Sequence, residues 1–487
     1  MTLHRPSASP GRGWHDAALL LVLLGVGWNA GLRLATGWSA DDGGHLLFSA
    51  EHPVVRYLFD PVLLRQASHA NLTPVLNLFY SANLALFGLS PAGWRASMAM
   101  LAVAAVWAFH LAARQYMGRT LALGLAAAWG LSVPFFYTTA TFMTAHYVFG
   151  MVMAMLCVWA FAHWMKGGAA WLVLAAVCYG LAVFSKEVYA PLPALLLLHA
   201  PWRRALAGMV PIALVALVYL ACRRQVLGSV VGGYRTGSFF AADDGKAVLL
   251  ERVLQLPVTL FGGPWQAAAF GLACALFAWR ATSRARLALV LAPVLVLLPL
   301  LPLLSAAPLS EPDRYFFAAA AALLFAFGVV VRSACARGRC PAWAVVPACA
   351  LVLGLALHQH LSRVPGLVAG IDKQAALYRH ALDIASPMVL LNPGLPADDL
   401  YWSQVLTAAR AAQARLAGAA DDGPVLVVAD AALPIVSGLH ACGVPVYRYR
   451  SAPPFFLPFA PDVAQGGEPA PCAALLQAMA GQAGAGR

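Results

Sequence analysis

Long apolar runs separated by short basic turns make up most of this chain, and that alternation decides what it can fold into. A helix needs about 20 apolar residues to cross the hydrocarbon of a bilayer. About eleven such runs can be read along the sequence: 17–35, 96–113, 120–137, 144–164, 169–185, 188–201, 206–222, 255–279, 287–304, 315–331 and 342–360. The sixth is short and carries Pro191 and Pro193, which predicts a broken or tilted segment. The eighth holds Gly262, Gly263 and Pro264 and reads as a half-span joined to a full one. Of the 487 residues 61% are hydrophobic and only 11% charged, against about 25% charged in soluble domains. This argues against a soluble enzyme, a nucleic-acid-binding protein or a disordered chain. The formal charge of +12 leaves that unchanged, because the basic residues cluster at the ends of the apolar runs.

The turns set the orientation. With Arg5 and Arg12 in the cytoplasm, every second turn faces the same way. Those turns carry Arg114 and Arg119, Lys166, Arg203 and Arg204, then Arg280, Arg284 and Arg286, and finally Arg332, Arg337 and Arg339. They are almost free of acid, as the positive-inside rule requires. Trp38-Ser39-Ala40 offers no small-x-small cleavage site after the first run, so that run reads as an uncleaved anchor. An odd number of spans then puts the tail on the outer side, periplasmic in a bacterial inner membrane. The expected architecture is an all-α, polytopic bundle over 1–360 followed by a small periplasmic domain over 361–487.

Two long outer segments stand out. Residues 36–95 alternate apolar and polar character without reaching spanning length, which suits helices lying in the interface. Residues 223–254 hold Gly228, Gly232, Gly233, Gly237 and the pair Asp243-Asp244, and read as a mobile flap. In the tail, 424–430 and 444–447 read as buried strands and 399–418 as an Ala-rich helix, together a small α/β module. Cys442 and Cys472 are the two cysteines expected on the oxidising side, and they are predicted to form a disulfide. Cys335 and Cys340 lack the two further ligands of a zinc site.

Chemistry has few carriers in so apolar a chain. Asp41-Asp42 follow the first run in Gly37-Trp-Ser-Ala-Asp-Asp-Gly-Gly-His45. A carboxylate at a membrane edge is often only a solvated cap. Here Trp38 suggests headgroup level, the two glycines permit close approach, and no base stands nearby in sequence. Mutual repulsion is expected to raise one pKa, which suits a general base. Lys186-Glu187 interrupt the apolar sequence at the outer end of the fifth run. They read either as an interfacial Lys pairing with its neighbour, which adjacent positions on a helix disfavour, or as a cation for an anionic headgroup. Arg314 stands on the outer side, where positive-inside bias disfavours a cation, so an anionic partner is expected: Asp313, Glu311 or a phosphate. Arg223 and Arg224 at the start of the flap share the oddity. One acidic site and several outer cations suit group transfer from a lipid-linked phosphate, with cations stabilising the departing phosphate and a carboxylate taking the proton of an attacking hydroxyl.

These residues resemble the GT-C superfamily of integral-membrane glycosyltransferases, in its protein O-mannosyltransferase-like branch. Asp41-Asp42 is similar to the acidic pair of that family's first outer loop. His69 through Tyr80, with Leu86-Phe-Gly-Leu-Ser-Pro91, resembles the segment leading into the second span. Ser185-Lys-Glu187 with Leu192-Pro193 resembles its Ser-Lys-Glu stretch, and Asp313-Arg-Tyr315 its Arg-Tyr entrance to a late span. The likeness covers about residues 15–330. It implies a polyprenyl-phosphate-linked sugar as donor, Asp41 or Asp42 as base, and Lys186, Arg314 and Arg224 near the donor phosphate. Glu187 and Tyr315 would lie close by. Many relatives carry Arg-Pro where this chain has Leu72-Thr73-Pro74, which implies that a donor contact is either lost or moved to Arg65 or His69.

The expected activity is an inverting sugar transfer to a hydroxyl of a glycan, lipid or protein on the periplasmic face. No obligatory cofactor or metal is expected, since Lys and Arg can stabilise a monophosphate, although a divalent cation stays open. The rivals are a transporter or lipid flippase, and a glycan ligase of another fold. Charge-poor span centres and the lack of a repeat disfavour the first.

Overall fold

The computed structural model describes residues 12–32, 37–68, 70–197, 202–230, 245–300, 312–336, 338, 341–384, 387–391, 399–419, 423–428, 434–450, 456–460 and 471–484. The chain is mostly helical. The first run forms α1 (Arg12–Gly27), extended by a π-turn Trp28–Leu32. The outer segment folds as α2 (Asp42–Glu51), α3 (Val54–Phe59), α4 (Pro61–Ala67) and α5 (Pro74–Phe87). Val55, Phe59 and Val62 on α3 and α4 stand open while Tyr57 and Leu63 are buried, the disposition of helices lying in the lipid interface.

The bundle follows with α6 (Pro91–Tyr116), α7 (Arg119–Leu131), α8 (Val133–Ala140), α9 (Ala145–Trp164) and α10 (Ala169–Ser185). It continues with α11 (Leu192–Leu196), α12 (Trp202–Leu227), α13 (Gly245–Phe261), α14 (Pro264–Arg280), α15 (Ser283–Leu297) and α16 (Phe317–Ala336). Among the described residues six helices are long and apolar enough to cross a membrane, or eight if each of two bent pairs is one span. The bends are 56° between α7 and α8 and 110° in the pair that meets at Gly262-Gly263. Gly262 takes φ +91 there, a conformation open to glycine at little cost. The sixth apolar run is no continuous helix: a 3-10 turn Glu187–Tyr189 precedes the short α11, where Pro191 and Pro193 interrupt the backbone ladder. Outward rows such as Val210, Leu214 and Leu217 are exposed apolar surface, as lipid-facing helices require.

The last span corrects one expectation. Apolar character fades near 360, yet α17 runs unbroken over Val345–Asp383, 39 residues in all. Polarity changes there without a break in the helix. Beyond it lie β1 (Met388–Leu391), α18 (Asp399–Ala417), β2 (Val425–Val428), α19 (Pro434–Ala441), β3 (Val446–Tyr449), β4 (Phe456–Pro458) and α20 (Cys472–Gly484). The sheet order is β2-β1-β3-β4, with β1 parallel to β2 and β3, and β4 antiparallel to β3. Strand side chains alternate between faces. Met388, Leu390, Val425 and Val427 join the core shared with α18 and the bundle, while Val389, Leu391, Leu426 and Val428 pack with Val436, Leu439 and Met479.

Cys442 and Cys472 are joined in a disulfide that closes a loop with a sequence separation of 30. A loop of that length stabilises by about 3–4 kcal/mol through the unfolded chain. A non-reducing peptide map should recover the linked pair. Mild reduction should open residues 434–484 to protease at least about tenfold faster, while cleavage elsewhere stays unchanged.

Candidate active site at the outer end of the bundle

Asp41 and Asp42 sit on a turn locked from three directions. Ala40 is the non-glycine residue with positive φ among the described residues, at +47, a conformation that costs about 1–3 kcal/mol and persists only where the surroundings over-determine it. Here α17 does so. The Ala40 N–H donates to Gln374 Oε1 at 3.1 Å, the Tyr378 hydroxyl donates to the Ala40 carbonyl at 2.6 Å, and the Gly43 N–H donates to that hydroxyl at 3.0 Å. Then α18 closes from the side. A Cβ on Gly43 would stand 1.8 Å from the Val405 carbonyl oxygen, so only glycine lets the two backbones approach. Gly44 meets nothing.

The two carboxyls have different surroundings. Asp42 is fully buried: Oδ2 accepts the Ser39 N–H at 2.6 Å, and Oδ1 accepts the Tyr80 hydroxyl. Burial pushes its pKa from an ordinary 3.8 up to about 7, against the Tyr80 and Ser39 hydrogen bonds and the charge of Arg95. Repulsion from Asp41, the cause expected from sequence, is the smallest contribution. Asp41 is half-buried, and its Oδ1 accepts the Tyr401 hydroxyl of α18 at 2.6 Å. Trp38 corrects another expectation. At 3% exposed it is no headgroup anchor, and it packs edge-on against Trp94 (4.8 Å) and Phe142 (5.4 Å) beneath the turn.

The cations form a second group. Lys186 is buried; its Nζ donates to Asn71 Oδ1 at 2.9 Å, pairs with Glu187 Oε1 at 3.1 Å, and lies 5.3 Å from the Tyr147 ring centre. Adjacent side chains pair here, the first of the two readings the sequence left open, because α10 ends at Ser185 and Lys186 is extended (φ −159, ψ 138). Arg314 is half-buried over the Tyr315 ring, donates to the Tyr315 hydroxyl at 2.9 Å and reaches Met143 Sδ at 3.9 Å; Tyr315 is buried. The side chains of Asp313 and Glu311 lie outside the described residues.

His45 and His146 join the two groups. His45 is within electrostatic reach of Asp41, and His146 is within reach of His45, Lys186 and Arg314. Burial pushes the His45 imidazole below its usual value, with Asp41 opposing. His146 is buried, and its Nδ1 has no hydrogen-bond partner among the described residues.

Other expected contacts lie elsewhere. Arg224 is exposed; one residue earlier and about 100° around the helix, Arg223 is buried and donates to the Val230 and Ala70 carbonyls at 3.1 and 3.3 Å. Arg65 is exposed, and its Nε donates to the Val226 carbonyl at 2.5 Å, tying α4 to α12. His69 and flap residues 231–244 lie outside the described residues. No three His, Cys, Asp or Glu side chains among those described come together as metal ligands.

Sequence reasoning missed Arg95, Tyr401, Tyr378, Gln374 and His146. Arg95 is buried near the start of α6, where its Nη1 donates to the Ala140 carbonyl at 2.7 Å and the guanidinium covers Phe142 at 4.4 Å. It was findable, being a cation at the end of an apolar run away from the basic turns, as Arg314 is.

Residues 68–227 match the family model described as dolichyl-phosphate-mannose-protein mannosyltransferase. That match covers about a third of the chain. The matched segment contains Asn71, Arg95, His146, Lys186, Glu187 and Arg223; Asp41, Asp42, Arg314 and Tyr401 lie outside it. No curated protein sequence matches the chain. Among solved structures it is similar to the Archaeoglobus fulgidus oligosaccharyltransferase AglB in complex with an inhibitory peptide and a dolichol-phosphate. The identity is 14%, the coverage 72% of this chain and 56% of that one, and the TM-score 0.44. It is also similar to ArnT from Cupriavidus metallidurans in the apo state (18%, 84% and 72%, 0.44). A third is the arabinofuranosyltransferase AftD from Mycobacteria (16%, 93% and 36%, 0.45). The chain thus spans about half the length of the archaeal oligosaccharyltransferase.

Proposed function

We propose that the protein is an inverting glycosyltransferase that moves a sugar from a polyprenyl phosphate to an acceptor hydroxyl at the outer face of a bacterial inner membrane. The N-terminus is then cytoplasmic and the C-terminal module periplasmic. Asp41 is the base. It is the more accessible carboxylate, whereas Asp42 is enclosed by Ser39 and Tyr80 and supports the turn. The acceptor O–H gives its proton to Asp41 while its oxygen bonds to the anomeric carbon. The bond from that carbon to the phosphate oxygen breaks on the opposite side, and the electron pair leaves with the polyprenyl phosphate. Lys186 and Arg314 stabilise the charge on that phosphate.

The observation that carries this reading is an apolar cavity whose lining begins two residues after Lys186. The cavity has a volume of about 400 Å³ and lies between α9, α11, α15 and α16, with Thr282, Arg284 and Ser333 in its lining. Val188 and Tyr189, immediately after Lys186-Glu187, line it as well. In this reading the groove takes the isoprenoid tail of the donor.

The test uses the full-length protein in proteoliposomes with undecaprenyl-phosphate-linked radiolabelled hexoses and pentoses, and cell-envelope fractions as acceptor. Label should leave the lipid for an acceptor with the anomeric configuration inverted. Retention of configuration in the product, or label remaining on the lipid with every donor, would overturn the proposal.

A further inference from the structure

The tail of the chain enters the site, and the contact is specific. Tyr401 lies in the first turn of α18, and its hydroxyl donates to Asp41 Oδ1 at 2.6 Å across a sequence separation of 360. Two features fix where that hydroxyl stands. Backbone contact between Gly43 and Val405 sets the spacing of α2 and α18. On the far side α18 is held to the sheet, because Ser403 Oγ accepts the Val427 N–H at 2.8 Å and Thr407 Oγ1 accepts the Val425 N–H at 3.0 Å. The sheet, the helix and the carboxylate are thus connected by short hydrogen bonds, with no flexible side chain longer than one tyrosine between them.

We propose that Tyr401 is a positioning residue that orients the Asp41 carboxylate, so that the C-terminal module is an integral part of the active site. This rests on Asp41 being the base. With Oδ1 occupied by the phenol, Oδ2 is the atom left to receive the acceptor proton, and the carboxyl plane cannot rotate away from it. Other groups face Asp41 from the elements around it: Asp42 and His45 from α2, Tyr80 from α5 and Tyr378 from α17. They are the same in wild type and variant, so a difference between the two isolates Tyr401.

The experiment compares Tyr401→Phe and Asp41→Asn with wild type, using transfer from undecaprenyl-phosphate-linked sugar in proteoliposomes and thermal unfolding of the same preparations. Tyr401→Phe should lower kcat about tenfold with KM for the donor and Tm unchanged, since the lost interaction acts in the reaction step. If Tyr401→Phe keeps the wild-type kcat while Asp41→Asn is inactive, the positioning role is wrong and the base assignment stands. If Tyr401→Phe lowers kcat only together with Tm and with a raised KM, Tyr401 acts only through the fold. If Asp41→Asn stays active, the base assignment fails and takes this inference with it.

Discussion

Asp41→Asn should cut sugar transfer by about 10²–10⁴-fold, the range expected when a general base is removed, while leaving the protein as stable as wild type. The amide is nearly the same size and keeps an oxygen that accepts from Tyr401 at the position of Oδ1. It cannot take a proton. KM for the donor should be unchanged, because the cations at Lys186 and Arg314 belong to a separate group of contacts. Initial rates in proteoliposomes, with thermal unfolding of the same preparation in detergent, separate the two quantities. A variant within about threefold of the wild-type rate would remove Asp41 from the chemistry, since even a weak general base contributes more.

The neighbouring residue should behave in the opposite way. Asp42→Ala leaves the Tyr80 hydroxyl and the Ser39 N–H without an acceptor in a fully buried space. At about 1–3 kcal/mol per orphaned group, a loss of roughly 3 kcal/mol or more is expected, visible as a lower Tm. The pH dependence identifies the cause. Burial raises the folded pKa from 3.8 to about 7, so the folded state holds its proton more tightly than the unfolded chain. That contribution is fully present below pH 3.8 and is lost as pH rises through about 7. Wild type should therefore unfold at a lower temperature at pH 8 than at pH 5, and Asp42→Asn, which has no proton to lose, should show less of this slope. Equal slopes would mean that the Asp42 carboxyl is better solvated than the enclosed turn implies.

Much of this site was legible because charges are rare in the chain. Two acids after the first apolar run, a Lys-Glu pair at the end of another and an Arg on the wrong side of the membrane each broke a strong pattern. What sequence left dark was the support. Gln374, Tyr378 and Tyr401 are ordinary polar residues on ordinary helices, and nothing local says that they meet a turn more than 330 residues earlier. The strand Met388–Leu391 escaped for a different reason: a run of four apolar residues just after a long helix has no period of its own. The partnership of Lys186 with Glu187 stayed open because it depends on where α10 stops, and helix ends are the least legible feature of a sequence.

The unbroken course of α17 has a mechanical consequence. Its 39 residues measure about 58 Å at 1.5 Å per residue, well beyond the roughly 30 Å of hydrocarbon. The helix is therefore a mast stepped in the membrane, and Gln374 and Tyr378 grip the Ala40 turn from its upper part. On such a mast, angle and height are geared together. One residue gained or lost below the grip would swing both side chains by about 100° and shift them by 1.5 Å. A change of residue facing the lipid leaves both contacts where they are, whereas a change of residue count between the membrane and the grip displaces them together.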